Sequence, residues 1–313
     1  MASATVDGRR VLVTGGAGFI GSHLVDALVE DNEVRVLDDF STGRRAHVHP
    51  DATVIEGDIR DPATVAEAMA DVDLVFHEAA NASVTRSVDD PVASHRVNAT
   101  GALTLLERAR RADARVVVAS STAIYGNPTT IPVTEEEPTT PTSPYGVEKL
   151  AVDHYARLYH DLYGLDTVAL RYFNVYGPRQ ACADYSSVIT VFLEQACSGQ
   201  PITVEGDGSQ IRDFVHVSDV VRANVLAATT DRVGEAYNVG TGRSVSILDL
   251  ARLVADLTDG ESDVTHVDPR PGDIEASRAD ISKARRELGY EPSVGLQDGL
   301  AALIDGDADG FRP

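Results

Sequence analysis

Arg9-Arg10-Val11-Leu12-Val13-Thr14-Gly15-Gly16-Ala17-Gly18-Phe19-Ile20-Gly21 reads as a short β-branched run ending in a glycine-rich turn, with a helical pattern over residues 20–30 opening directly behind it. A strand, a glycine turn and a helix in that order make a cradle for a dinucleotide. Gly15 and Gly16 permit the tight turn, Gly18 lets backbone amides approach a pyrophosphate, and Gly21 lets the helix lie close to the sheet. The helix N-terminus favours the anion. Asp38 closes the next strand pattern, where a carboxylate accepts hydrogen bonds from the adenine-ribose hydroxyls and repels a 2′-phosphate; the sequence therefore predicts NAD rather than NADP.

Outward from this unit, strand patterns at 9–14, 33–38, 53–56, 74–77, 116–120 and 167–173 alternate with helical ones at 20–30, 62–70, 91–112 and 144–163. That alternation predicts an α/β fold: a Rossmann-type doubly wound parallel sheet with a smaller α/β C-terminal substrate domain. Beyond Asn174 the pattern shortens to a helix at 187–198, a strand at 202–204, a segment 213–217 leading into a helix at 219–228, and a strand at 236–239. An NAD-binding domain is set at 1–173 and a substrate domain at 174–313, with part of 212–240 returning to the first.

The chain has 313 residues, 43% hydrophobic and 24% charged, values that support a sizeable globular core. No apolar run approaches the length of a membrane span, and Met1 leads into the first strand without a signal-peptide core, so a cytoplasmic protein is expected. Cys182 and Cys197 are too few for a disulfide framework and lack metal-ligand spacing. A net charge of −22 argues against non-specific nucleic-acid binding. With lysine only at Lys149 and Lys283 and the acids scattered along the chain, it suggests a surface adapted to concentrated salt. His77-Glu78 does not continue into a zinc-helix pattern and His216 reads as a packing or hydrogen-bonding residue, so no metal is expected.

In Pro144-Tyr145-Gly146-Val147-Glu148-Lys149 a tyrosine and a lysine stand four apart on one helical face. Such a pair is common on solvated helices. It gains weight because Lys149 is one of two lysines and because Ser120-Ser121-Thr122 ends the fifth strand pattern, where sheets of this type hold substrate. A phenol with a pKa of about 10 is a poor base at neutral pH; a nearby ammonium and an oxidised nicotinamide both favour its phenolate.

The glycine turn, Ser121-Thr122 and Tyr145/Lys149, in this order, resemble the extended short-chain dehydrogenase/reductases of the NAD-dependent epimerase/dehydratase family, with UDP-glucose 4-epimerases the nearest likeness. His77-Glu78-Ala79-Ala80-Asn81 is similar to the family's segment beneath the nicotinamide, Arg171-Tyr172-Phe173-Asn174-Val175-Tyr176-Gly177-Pro178-Arg179 to its domain junction, and Arg212-Asp213-Phe214-Val215-His216-Val217 to its substrate arm. Tyr237-Asn238-Val239-Gly240 and Arg270-Pro271-Gly272-Asp273 extend the likeness almost to the C-terminus.

The resemblance implies catalysis by Thr122, Tyr145 and Lys149, with Ser121 beside the threonine. It implies that NAD is held by Gly15, Gly18, Phe19, Ile20, Gly21 and Asp38, and by Ser41, Thr42 and Gly43. Asp58 and Ile59 would lie at adenine; Ala79, Ala80, Asn81, Asn98, Ser120 and Tyr172 complete the cofactor contacts along with Tyr145 and Lys149. It implies a UDP-sugar substrate held by Ser83, Ser121, Thr122, Asn174, Val188, Thr203, Val204, Arg212, Arg270, Asp273 and Ser277, and a homodimer formed through the helices after Pro91 and Pro144. Arginine suits a diphosphate because its planar fork donates in pairs.

The implied reaction is oxidation of the sugar at C4 to a 4-keto intermediate and return of the hydride to the opposite face. Related dehydratases carry an Asp-Glu pair after the catalytic threonine, and decarboxylases a glutamate in that segment; here Ala123 and Ile124 stand instead. Ser277, four residues after Asp273, occupies a place that resembles a gate where a bulky residue excludes N-acetylated sugars, so a small residue leaves room for them. Still open are a UDP-glucuronate 4-epimerase or decarboxylase, another sugar-nucleotide dehydratase, and an NAD-sensing binding protein without catalysis.

Overall fold

The computed structural model describes residues 5–180, 187–258, 262–269 and 274–306. Strands Arg10–Thr14 (β1), Glu33–Asp38 (β2), Thr53–Glu56 (β3), Leu74–His77 (β4), Arg115–Ser121 (β5), Thr167–Tyr172 (β6) and Glu235–Val239 (β7) form one parallel sheet in the order β7-β6-β5-β4-β1-β2-β3. Both faces are covered, which is why β4 and β6 are buried along their whole length. Alternate side chains serve opposite layers: Val11, Val13 and Phe76 pack with the helix Phe19–Leu28 (α1) and the helix Val217–Thr229, while Leu12, Val75 and Val118 pack with Pro62–Ala68, Ala102–Ala112 and Pro144–Tyr163.

The strand order reverses between β1 and β4, and that switch point opens the crevice in which such sheets bind ligands. A third core, around Phe192, Val204, Phe214, Leu250 and Leu300, belongs to the C-terminal layer. There Asn174–Tyr176 pairs with Phe214–His216, and Ile202–Glu205 with Val264–Val267. The chain then re-enters the first layer, since Val217–Thr229 packs on α1 and β7 pairs with β6.

Two buried carboxylates fasten these parts. Asp153, on the helix Pro144–Tyr163, takes a two-pronged pair of hydrogen bonds from Arg171 of β6 at 2.8 and 3.1 Å. Asp213 accepts from the amides of Thr241, Gly242 and Ala279, pinning the segment around Arg212 to the turn after β7.

The helix expected over 91–112 is broken into Pro91–His95, a widened π-turn Arg96–Gly101, and Ala102–Ala112. Its cause is tertiary. Asn98 turns its amide toward the backbone of Asn81, and Gly101 leaves room for Ile59, whose Cγ2 would stand 2.8 Å from an added Cβ. The helices Val84–Asp89, Ile247–Leu257, Ser282–Leu288 and Leu296–Gly306 go beyond the expected elements. No helix among the described residues is long and apolar enough to cross a membrane.

Candidate active site

The glycine turn has the shape its residues require. Gly15 adopts φ +71°, and a Cβ there would meet the amide nitrogen of Ala79 at 2.7 Å; a Cβ on Gly21 would sit 2.2 Å from the Gly15 carbonyl. Only the Gly15 carbonyl, at 3.1 Å, would crowd a Cβ on Gly18, which leaves the mouth of α1 otherwise open. Phe19 and Ile20 begin α1. The loop carrying Ser41, Thr42 and Gly43 folds over this turn: Arg44 N donates to the Ala17 carbonyl, and Gly43 has no room for a side chain against Ala17. Ser41 spends its hydroxyl on Asp39 at 2.6 Å.

Asp38 is buried at the end of β2, and its carboxylate accepts from the amides of Ala17 at 2.9 Å and Phe40 at 2.8 Å. Burial raises its pKa, and the two amides oppose that shift. Asp58 is paired with Arg60, whose hydrogen bond holds the carboxyl below its usual range, and Ile59 packs into the core beneath the π-turn. Ser120 is 2% exposed and its Oγ has no hydrogen-bond partner. An open helix mouth, a buried carboxylate one strand away and an unsatisfied hydroxyl at the end of β5 suit a dinucleotide lying across the carboxyl ends of the strands.

Ser143 caps the helix Pro144–Tyr163 by accepting from Gly146 N at 3.1 Å, with Pro144 in the first turn. Gly146 allows that helix to press on the turn Thr122–Ile124 that follows β5, since a Cβ would stand 2.7 Å from the Ala123 carbonyl. Tyr145 and Lys149 thereby face the crevice. Lys149 is 6% exposed, lies 6.0 Å from the centre of the Tyr145 ring, and donates from Nζ to the Ala119 carbonyl at 2.8 Å. The hydroxyl that lowers the pKa of the Tyr145 phenol is that of Ser121, while Thr122 begins the turn Thr122–Ile124 beside it. Ser121 Oγ already accepts from Ala123 N at 3.1 Å, which leaves its O–H to donate to the phenol oxygen and favour the phenolate.

Burial dominates the electrostatics at the pair. Burial pushes the Tyr145 phenol up to about 12, the Ser121 hydroxyl lowers it, and the carboxylates of Glu148 and Glu78 add to the rise. Burial lowers Lys149, against the pull of the same two carboxylates, and raises Glu78, whose Oε1 accepts from the Tyr172 hydroxyl at 2.8 Å. Asn224 in turn donates to the Tyr172 oxygen at 2.8 Å. Sequence reading gives Glu78 a place in the segment beneath the nicotinamide but no contact of its own, and gives Glu148 and Asn224 no part in the site. Glu148 sat inside the Tyr-Lys motif, and its place next to a buried lysine was the available signal.

Loop Ala79, Ala80 and Asn81 follows β4, with Ala79 N donating to Thr14 Oγ1 at 3.3 Å. Asn98 and Asn81 exchange two hydrogen bonds, 2.7 Å into Asn98 Oδ1 and 2.9 Å from its Nδ2. Among the expected substrate residues, Ser83 caps the helix Val84–Asp89, and Asn174 Nδ2 donates to the Asp213 carbonyl at 3.1 Å. Val188 begins the helix Val188–Cys197, Thr203 is bonded to Gln195, and the Val204 side chain is wholly buried in the third core. Arg212 lines a cleft of about 410 Å³ with Phe214, Arg243 and Arg285. Ser277 is 5% exposed, with an Oγ that lacks a partner. Arg270 and Asp273 lie outside the described residues. His216 caps the helix Val217–Thr229 and stands edge-on to Tyr176, a structural role.

The sequence profile of the NAD dependent epimerase/dehydratase family matches residues 11–240. The chain is 40% identical over 306 residues to the UDP-glucose 4-epimerase of Mycolicibacterium smegmatis, covering 95% of this chain and 97% of that one. Among solved structures it is similar to the UDP-glucose 4-epimerase of Thermotoga maritima with UDP-glucose, at 37% identity and a TM-score of 0.93 over 96% of this chain and 99% of that one. It is equally similar to the UDP-N-acetylglucosamine 4-epimerase of Methanobrevibacter ruminantium M1 in complex with UDP-N-acetylmuramic acid, at 37% identity and a TM-score of 0.94, over 97% and 100% of the two chains.

Proposed function

Because this chain belongs to the NAD dependent epimerase/dehydratase family, we propose that it interconverts UDP-glucose and UDP-galactose by inverting C4 through a 4-keto sugar. It is an NAD-dependent sugar-nucleotide epimerase and so an isomerase; what we infer is the sugar and the work of each residue. The observation that carries the reading is the Tyr145 phenol with Lys149 one helical turn on, held by the Ala119 carbonyl at the carboxyl end of β5.

Bound NAD supplies reversible uptake of a hydride. In this reading Tyr145 takes the proton of the sugar 4-hydroxyl and later gives it back, while Ser121 and Thr122 hold the oxygen that alternates between hydroxyl and ketone. Lys149, fixed by Ala119, holds a positive charge beside that oxygen and the nicotinamide ribose. Gly18 and α1 receive the pyrophosphate, Asp38 the adenine ribose, and Ser120 offers its unsatisfied hydroxyl to the cofactor. Asn174, Arg212 and Arg270 bind the substrate's phosphates or the groups beside them, and Asp273 completes the substrate contacts. Ala123 and Ile124 supply no acid for elimination, which favours oxidation and return over dehydration.

We further propose that Ser277 admits N-acetylated sugars, since it is small and buried. We also infer a cytoplasmic homodimer, resting on exposed Val88, Val92, Leu158 and Leu162, from a salt-adapted source.

The purified protein, incubated in high salt with a panel of UDP-sugars including UDP-glucose, UDP-glucuronate and UDP-N-acetylglucosamine, should yield the 4-epimer of UDP-glucose by NMR. A pentose product would instead mean decarboxylation and overturn the proposal. Tyr145→Phe should lose about 10²- to 10⁴-fold in kcat with NAD still bound; normal turnover would refute the base assignment. Ser277→Tyr should depress the N-acetylated activity relative to the other, and an unchanged ratio removes the gate.

A further inference from the structure

Glu148 lies between Tyr145 and Lys149 in sequence, and the mechanism above makes no use of it. It is 2% exposed. Its Oε2 accepts from Ser94 Oγ at 2.7 Å and from Asn98 Nδ2 at 2.6 Å, whereas Oε1 is buried without a partner. Burying a carboxylate with half its acceptors unmet is unfavourable, and a neutral acceptor could have met both donors. The donors themselves are informative. Ser94 closes the helix Pro91–His95 and Asn98 sits in the π-turn, and Asn98 passes the contact on to both backbone groups of Asn81. One carboxylate thus ties the helix that carries Tyr145 and Lys149 to the loop that follows β4.

We propose that Glu148 is a positioning residue of the epimerisation site: its carboxylate clamps the Arg96–Gly101 turn and, through Asn98, the Ala79–Asn81 loop against the catalytic helix, and its negative charge balances that of Lys149. This rests on the reading of Tyr145 and Lys149 given above. Glu148 shares a groove with His95 and Arg96, and on the other side Lys149 faces Glu78 and His77 at the end of β4. Because a nearby negative charge disfavours loss of a proton, removing it should lower the apparent pKa of both Tyr145 and Lys149 together.

The test uses the NAD-loaded protein and two substitutions. Glu148→Gln keeps an acceptor for Ser94 and Asn98 and loses only the charge. Its NAD content and melting temperature should stay near those of the parent, while both limbs of the kcat–pH profile move to lower pH by about one unit. Glu148→Ala also loses the clamp; it should retain several-fold less NAD after gel filtration and show faster amide exchange over residues 79–83. Adding Asn98→Ala to it should cause little further loss. A Glu148→Gln profile that superimposes on the parent's, or full addition of the Asn98→Ala and Glu148→Ala losses, overturns the proposal. NAD retention and exchange do not depend on which sugar is turned over, so failure of the sugar assignment would leave them readable.

Discussion

His77 illustrates how a single side chain can carry a pH dependence for the whole protein. Its ring is buried at the end of β4, Nδ1 lies 2.8 Å from Thr14 Oγ1, and burial pushes its pKa down to about 3. The folded protein therefore keeps the ring neutral, while the unfolded chain takes up a proton once the pH falls below about 6.5. The stability that His77 contributes is full above that value and is lost as pH falls toward 3. Between pH 7 and pH 5 the loss should be about 2 kcal/mol. Urea unfolding of the parent and of His77→Asn at both pH values checks this; an equal drop in the two would assign the acid sensitivity elsewhere. At the same scale, the hydroxyl that lowers the Tyr145 pKa is a matter of one position: Ser121 ends β5 and Thr122 starts the following turn.

The helix Pro144–Tyr163 carries two faces with different work. One buries Glu148, Lys149, Val152, Asp153 and Ala156 against the sheet and the π-turn. The other leaves Val147, Leu158 and Leu162 at 54%, 44% and 62% exposure, beside Val88 and Val92 at 60% and 59% on the neighbouring short helices. Solvated apolar residues gathered on adjacent helices are the mark of a surface that gains by being covered. Light scattering should accordingly give twice the 33.3 kDa chain mass, and Leu158→Glu combined with Leu162→Glu should return it to the single-chain value. A parent protein of single-chain mass, or a variant that stays double, would defeat the dimer. The ends of this helix were legible in the sequence, whereas its Ser143 cap came from the structure. The break at Arg96–Gly101 was not, because it arises from bonds between Asn98, Asn81 and Glu148, residues that are neighbours only after folding.

For the molecule as a whole, a net charge of −22 opposes compaction through self-repulsion, and salt screens it over a distance of about 10 Å at 0.1 M and about 3 Å at 1 M. Raising potassium chloride from 0.1 to 2 M should lift the melting temperature by several degrees. A melting temperature that is flat or falls would mean that the acidic surface is no adaptation to salt. The Asp153–Arg171 pair lies outside this effect, since both groups are buried and water with its ions does not reach them.

Read alone, the chain determined the Rossmann sheet, the glycine cradle, Asp38 and the Tyr145/Lys149 pair, because each depends on spacings within one strand-turn-helix unit or one helix. Only the tertiary structure decided that burial raises the phenol's pKa, that Glu78 and Glu148 share the site, and that β7 closes the sheet edge beside β6. Those outcomes are set by distances between segments far apart in sequence, and by how much water is excluded where they meet.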